Sequence, residues 1–149
     1  MTLYTLLTVD DDPSLRRLLE MLAVEDGRFH RVLAAENAAE AMTQASEQPD
    51  VIILDAALGR EDGLALIPQL RAVATHAMIA VFSSAPYASS HSAARAGADV
   101  FVEKGTDPDH LLDLLARLAA DRAELSNPLT GRLTVDLRDS DCARLPPTP

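Results

Sequence analysis

Four short apolar runs in this chain each end in a side chain that can hold a cation, carry a charge or donate a hydrogen bond. Residues 6–9 lead into the acidic triplet Asp10, Asp11 and Asp12; Val51–Leu54 leads into Asp55; residues 79–82 lead into Ser83; and residues 98–103 lead into Lys104. Carboxylates gathered in one place repel, which raises their proton affinity unless a divalent cation sits among them. All-oxygen ligands with no Cys or His in reach favour Mg2+, which keeps waters and takes one or two carboxylates together with a phosphoryl oxygen. A carboxylate beside such an ion can attack phosphorus while the metal and a lysine neutralise the oxygens that gather charge. The set reads as acids for a metal, an aspartate to be phosphorylated, and a hydroxyl and an ammonium for the phosphoryl oxygens. Lys104 is the more telling because positive charge is otherwise spelled as arginine, twelve times against this single lysine. A slim point charge stands where a planar fork would not fit.

Reactive groups at the ends of apolar runs are what parallel strands produce when they deliver side chains to one rim of a sheet. The pattern predicts a strand over 3–9, then a helix in which Leu15, Leu18, Leu19 and Leu22 recur at i, i+3, i+4 and i+7. Asp12 and Pro13 suit its N-cap and first position. A weaker strand over 29–34 precedes a helix with the small face Ala38, Ala41, Met42 and Ala45, capped at Asn37. The third strand, 51–54, is apolar throughout and therefore central. A helix over 64–73 carries Pro68 as a local irregularity. A strand over 78–82, a short alanine-rich helix over 89–96 ended by Gly97, and a strand over 99–102 follow. Asp107 and Pro108 then open a fifth helix with the stripe Leu111, Leu114, Leu115 and Leu118. Five strand–helix repeats predict an α/β fold, an open parallel sheet covered by helices on both faces. The division is a domain over 1–123 and a proline-containing tail or linker over 124–149, with a strand available at 133–137.

At 149 residues and 48% hydrophobic the chain suits one domain with an ordinary core. A net charge of -10 repels phosphate backbones, and no basic cluster is present to release counterions, so direct nucleic-acid binding is not expected. No apolar stretch is long enough to cross a membrane and no lipidation signal is present. A lone cysteine, Cys142, cannot form an internal disulfide, which agrees with a reducing, cytoplasmic setting.

The segments "VDDDPSLRRLL", "DVIILDAALGREDGLALI", "VFSS" and "AGADVFVEK" together resemble the receiver domain of two-component response regulators, over about residues 3 to 122. The resemblance implies a flavodoxin-like doubly wound sheet with strand order 2-1-3-4-5. It implies that Asp10 and Asp11 are the acid pair and Asp55 the phosphoacceptor, with the Ala57 carbonyl completing a Mg2+ shell. Ser83 corresponds to the switch hydroxyl, Phe101 to the switch aromatic and Lys104 to the family's lysine. The implied protein is not an enzyme but a signalling switch that assists its own phosphorylation and dephosphorylation. Its donor is a sensor histidine kinase, a phosphotransfer protein or a small phosphodonor. Its output is the face made by the fourth helix, fifth strand and fifth helix, acting on a protein partner, a missing output domain or a second copy in a homodimer.

Some positions depart from the family pattern. Gly59 stands where proline is frequent, Gly105 follows Lys104 where proline is usual, and residues 83 to 104 run about one residue short. Ala57 and Ala85 leave no polar side chain to guide an attacking water. Each assignment also has a rival: Asp12 as a helix cap instead of a ligand, Ser84 in place of Ser83, and Phe101 as a core residue. Two other classes compete. A haloacid-dehalogenase-like phosphatase would use Asp10 as nucleophile with Asp12, supported by Ser83 and Lys104. A phosphotransfer protein would use His91 but requires a helical bundle.

Overall fold

Strands in this chain form where apolar residues alternate between two cores. The computed structural model describes residues 3–86, 88–124, 135–138 and 141–144. Five strands, β1 (Tyr4–Val9), β2 (Phe29–Ala35), β3 (Val51–Leu54), β4 (Met78–Ser83) and β5 (Val100–Glu103), pair in parallel in the order β2-β1-β3-β4-β5. This is the doubly wound order expected above. Five helices connect and follow them: α1 (Pro13–Asp26), α2 (Ala38–Ala45), α3 (Gly63–Val73), α4 (Ser90–Ala96) and α5 (Pro108–Glu124).

The period-2 alternation of strands separates the two cores. Leu6, Ile53, Ala80, Val100 and Val102 pack with Leu19 and Ala23 of α1 and Leu111, Leu112 and Leu115 of α5. Leu7, Ile52, Leu54, Val81 and Phe101 pack on the other face with Ala41 and Ala45 of α2, Leu66, Ile67 and Leu70 of α3 and Ala93 of α4. Every residue of β1, β3 and β4 is buried, as central strands require, whereas the edge strand β2 mixes buried and exposed residues.

The helix ends follow their caps. Asp12 Oδ1 accepts from the Ser14 amide at 2.9 Å and Pro13 opens α1. Asn37 Oδ1 accepts from the Glu40 amide, and Ser89 and Ser92 form a reciprocal capping box at α4. Pro68 lies inside α3, which continues through it. Between β3 and α3 a two-stranded ribbon pairs Ala57–Leu58 with Glu61–Asp62 around Gly59, whose φ of +60° is closed to proline. Gly105 has a φ of +116°, equally closed to proline, and the described residues contain no cis peptide.

Beyond α5 the sheet continues. Strand β6 (Val135–Arg138) pairs in parallel with β5, and β7 (Asp141–Arg144) pairs antiparallel with β6. The start of the strand expected at 133–137, and the tail prolines Pro128, Pro146, Pro147 and Pro149, lie outside the described residues.

At the end of the sheet away from Lys104, Asp99, just before β5, ties three elements together. Its Oδ2 accepts from Arg71 Nη2 of α3 at 2.8 Å, from Arg122 Nη1 of α5 at 3.1 Å and from the Ile79 amide of β4 at 2.9 Å. Arg71 also donates to the Ala77 and Gly97 carbonyls.

Candidate functional site

The carboxyl ends of β1, β3, β4 and β5 bring Asp10, Asp55, Ser83 and Lys104 to one rim. Asp10 and Asp55 are 4% and 5% exposed, Ser83 is 2% exposed, Asp11 is exposed and Lys104 half-buried. Lys104 Nζ lies 2.8 Å from Asp10 Oδ2 and 2.7 Å from Asp55 Oδ2. Ser83 Oγ donates to Asp55 Oδ1 at 2.8 Å and accepts from the Ala85 amide at 3.1 Å. The Ala57 amide donates to the same Asp55 oxygen at 3.0 Å. Asp55 is thus held by one hydroxyl, one amide and one ammonium, each from a different segment.

Glycine at position 63 makes this geometry possible. A Cβ there would sit 2.0 Å from the Asp55 carbonyl oxygen, so only a residue without one lets α3 begin directly against the end of β3. The Gly63 amide donates to the Ala56 carbonyl at 2.7 Å across this contact.

On the other side, Asp10 Oδ1 accepts from the Asp12 amide at 2.9 Å, and the Asp10 carbonyl accepts from Arg16 Nη1 at 2.6 Å. Burial pushes the Asp10 carboxyl above its ordinary range, and the charge of Asp55 adds to the rise; the Lys104 and Asp12 hydrogen bonds oppose it without cancelling it. Burial pulls the Lys104 ammonium the other way, but its bonds to Asp10 and Asp55 outweigh this and leave its affinity for a proton raised.

Asp10, Asp11 and Asp55 each place a carboxylate oxygen within 4.8 Å of the others. Three acids face one ammonium, and Asp10 holds its proton more tightly than usual, which is the imbalance a divalent cation corrects. The donor set is all oxygen, as Mg2+ or Ca2+ prefers. Asp12 stands outside this cluster, its side chain committed to capping α1. Ser84 is exposed, and Phe101 is 1% exposed inside the α2–α3–α4 core.

The family model described as "Response regulator receiver domain" matches residues 6–116. The chain belongs to this family. Receiver domains are signalling domains of two-component systems, and they bind Mg2+ at an acidic cluster of this kind. This receiver is 32% identical over 136 residues to the nitrate/nitrite response regulator protein NarL of Escherichia coli K12, covering 90% of the chain and 63% of that protein. To the response regulator MprA of Mycobacterium avium it is 35% identical over 117 residues, 77% of the chain and 49% of that protein. The chain therefore spans about half to two thirds of the length of these relatives. Among solved structures it is similar to a response regulator protein from Burkholderia pseudomallei, crystallised with a phosphorylated aspartic acid, a calcium ion and citrate. The TM-score is 0.67 at 28% identity, covering 85% of the receiver and 76% of that chain.

Three contributors to the site are main-chain or backbone features: the Ala57 and Ala85 amides and the missing side chain of Gly63. Only Gly63 left a trace in the sequence, as the second glycine of the segment "DVIILDAALGREDGLALI" that carries the resemblance. Among the described residues no helix is long and apolar enough to cross a membrane.

Proposed function

We propose that Asp55 is the phosphoacceptor of this receiver and that the phosphoryl group comes from a phosphohistidine on a sensor kinase or phosphotransfer protein, or from a small acyl phosphate. The observation that carries this reading is the hold on Asp55: Oδ1 receives Ser83 Oγ and the Ala57 amide, and Oδ2 receives Lys104. In the transfer a carboxylate oxygen of Asp55 bonds to phosphorus as the bond from phosphorus to the donor's nitrogen or oxygen breaks. The aspartyl phosphate carries about -2 of charge, roughly one more than the carboxylate it replaces. Lys104 is the cation in place to meet it, and Ser83 can turn its hydroxyl from the carboxylate to a phosphoryl oxygen. Asp10, Asp11, Asp55 and the Ala57 carbonyl would hold Mg2+, which when bound neutralises charge on the phosphoryl oxygens.

The switch runs through Ser83 to Phe101. Position 101 pairs with Val81 two residues before Ser83, and its ring is already buried with Ser83 bonded to Asp55. The readout is the face of α4, β5 and α5, with β6 lying along β5, and its partner is a protein or a second copy of this chain in the cytoplasm. Direct nucleic-acid binding is not part of this reading, because the net charge is -10. The phosphatase alternative is weakened because Asp12 is turned to the helix cap.

The deciding experiment treats the wild type and Asp55→Asn with acetyl phosphate, and separately with beryllofluoride, in the presence and absence of Mg2+. The wild type should respond only with Mg2+ and the variant not at all. Phosphate on Asp10 with Asp55 unmodified would refute the assignment.

A further inference from the structure

Arginine in the first turn of a helix is electrostatically misplaced, since that end of the helix carries partial positive charge. Arg16 nevertheless closes the first turn of α1, with Arg17 following it: Arg17 is exposed, while Arg16 is half-buried and reaches back to the Asp10 carbonyl at 2.6 Å. Around that contact the residues between β1 and α1 close on themselves. The Asp10 amide donates to Ala35 of β2, the Asp12 amide to Asp10 Oδ1, and the Arg16 amide to the Asp12 carbonyl. A peptide unit is rigid, so fixing the Asp10 carbonyl fixes the plane from which the Asp11 backbone departs. Asp11 is exposed, so its direction depends on that backbone more than on packing.

We propose that Arg16 is a positioning residue for the acid pocket: its guanidinium, clamped on the Asp10 carbonyl, sets the directions in which Asp10 and Asp11 present their carboxylates to a divalent cation. This rests on the metal-binding reading above. A charge-assisted hydrogen bond of this length is among the stronger ones, and partners that orient ligands commonly govern metal affinity by tenfold or more.

The sign of the effect separates this role from a simple charge effect. A nearby cation repels Mg2+, so electrostatics alone predicts tighter binding when Arg16 loses its charge. Positioning predicts weaker binding. Mg2+ is titrated calorimetrically into the full chain as wild type, Arg16→Met and Arg16→Lys. The methionine keeps an apolar stem without donors; the lysine keeps the charge without the fork. Affinity should fall about tenfold in Arg16→Met and about threefold in Arg16→Lys. Equal or tighter binding in Arg16→Met would overturn the proposal. Should that variant fail to fold, wild-type affinity in Arg16→Lys would overturn it. No Mg2+ uptake by the wild type would instead bring down the reading of the pocket and this inference with it.

Discussion

Gly63→Ala puts the packing of the site to a quantitative test. The added Cβ would lie 2.0 Å from the Asp55 carbonyl oxygen and 3.0 Å from that of Ala56. Ordinary contact needs about 3.3 Å, so the start of α3 must retreat by roughly 1 Å. Overpacking of this kind costs about 1–3 kcal/mol. Stretching the hydrogen bond from the Gly63 amide to Ala56 adds about 1 kcal/mol, and the better helix propensity of alanine returns less than about 1 kcal/mol. The net loss of about 2–3 kcal/mol lowers Tm by roughly 6–9 °C in a chain of this size. Because the strain enters through the backbone of Asp55, phosphorylation by acetyl phosphate should slow by up to about 100-fold. The control is Gly27→Ala at the end of α1, where φ is +84° and nothing lies within 4 Å of the added atom. It should cost about 1 kcal/mol and leave phosphorylation intact. Thermal unfolding by circular dichroism and a phosphorylation time course decide the matter. A Gly63→Ala variant with wild-type Tm and rate would refute the argument that α3 is locked against Asp55.

Asp10→Asn should raise Tm in EDTA near neutral pH while weakening Mg2+ binding. Burial raises the Asp10 pKa on folding, so the wild type regains stability as pH falls through the folded value, and the two melting curves should converge towards the ordinary value of 3.8. Lys104→Met removes the ammonium shared by Asp10 and Asp55. It should destabilise at neutral pH, by an amount that shrinks on acidification as Asp10 takes up its proton, and a melt series against pH reads it. Asp99→Ala, at the opposite end of the sheet, strips the acceptor from Arg71 and Arg122 and should cost about 3 kcal/mol in urea unfolding with no change in phosphorylation. Ser83→Ala should still accept phosphate on Asp55 yet lose the beryllofluoride-dependent change in sedimentation or partner binding; an equal response in both proteins would remove Ser83 from the switch.

The grouping of the candidate site was readable because its side-chain types stand at strand ends, and the central strands were readable because apolar residues fill them. Strand ends slipped where a tertiary partner decides them. Asp99, expected to open the fifth strand, is taken by Arg71 and Arg122, and β5 instead runs on to Glu103, which pairs with Ser83. The ribbon around Gly59 is too short to show a period, and Asp141–Arg144 has no apolar alternation to announce it. The Ala57 and Ala85 amides went unseen because an alanine says nothing about where its N–H points. The Asp99 clamp joins residues from three elements to the turn before β5, which no local pattern encodes.

The division of the core in two makes the sheet a partition with sided wiring. Phe101 and its neighbours Val100 and Val102 are consecutive in sequence, yet the ring belongs to the layer of α2, α3 and α4 while the valines belong to that of α1 and α5. A displacement of the ring is therefore felt first by Ala93 of α4 and Ala98 before β5, and only through the strand itself by the leucines of α5. The two helices of the proposed readout face would thus feel a move of the ring by different routes, α4 by direct packing and α5 only by way of β5.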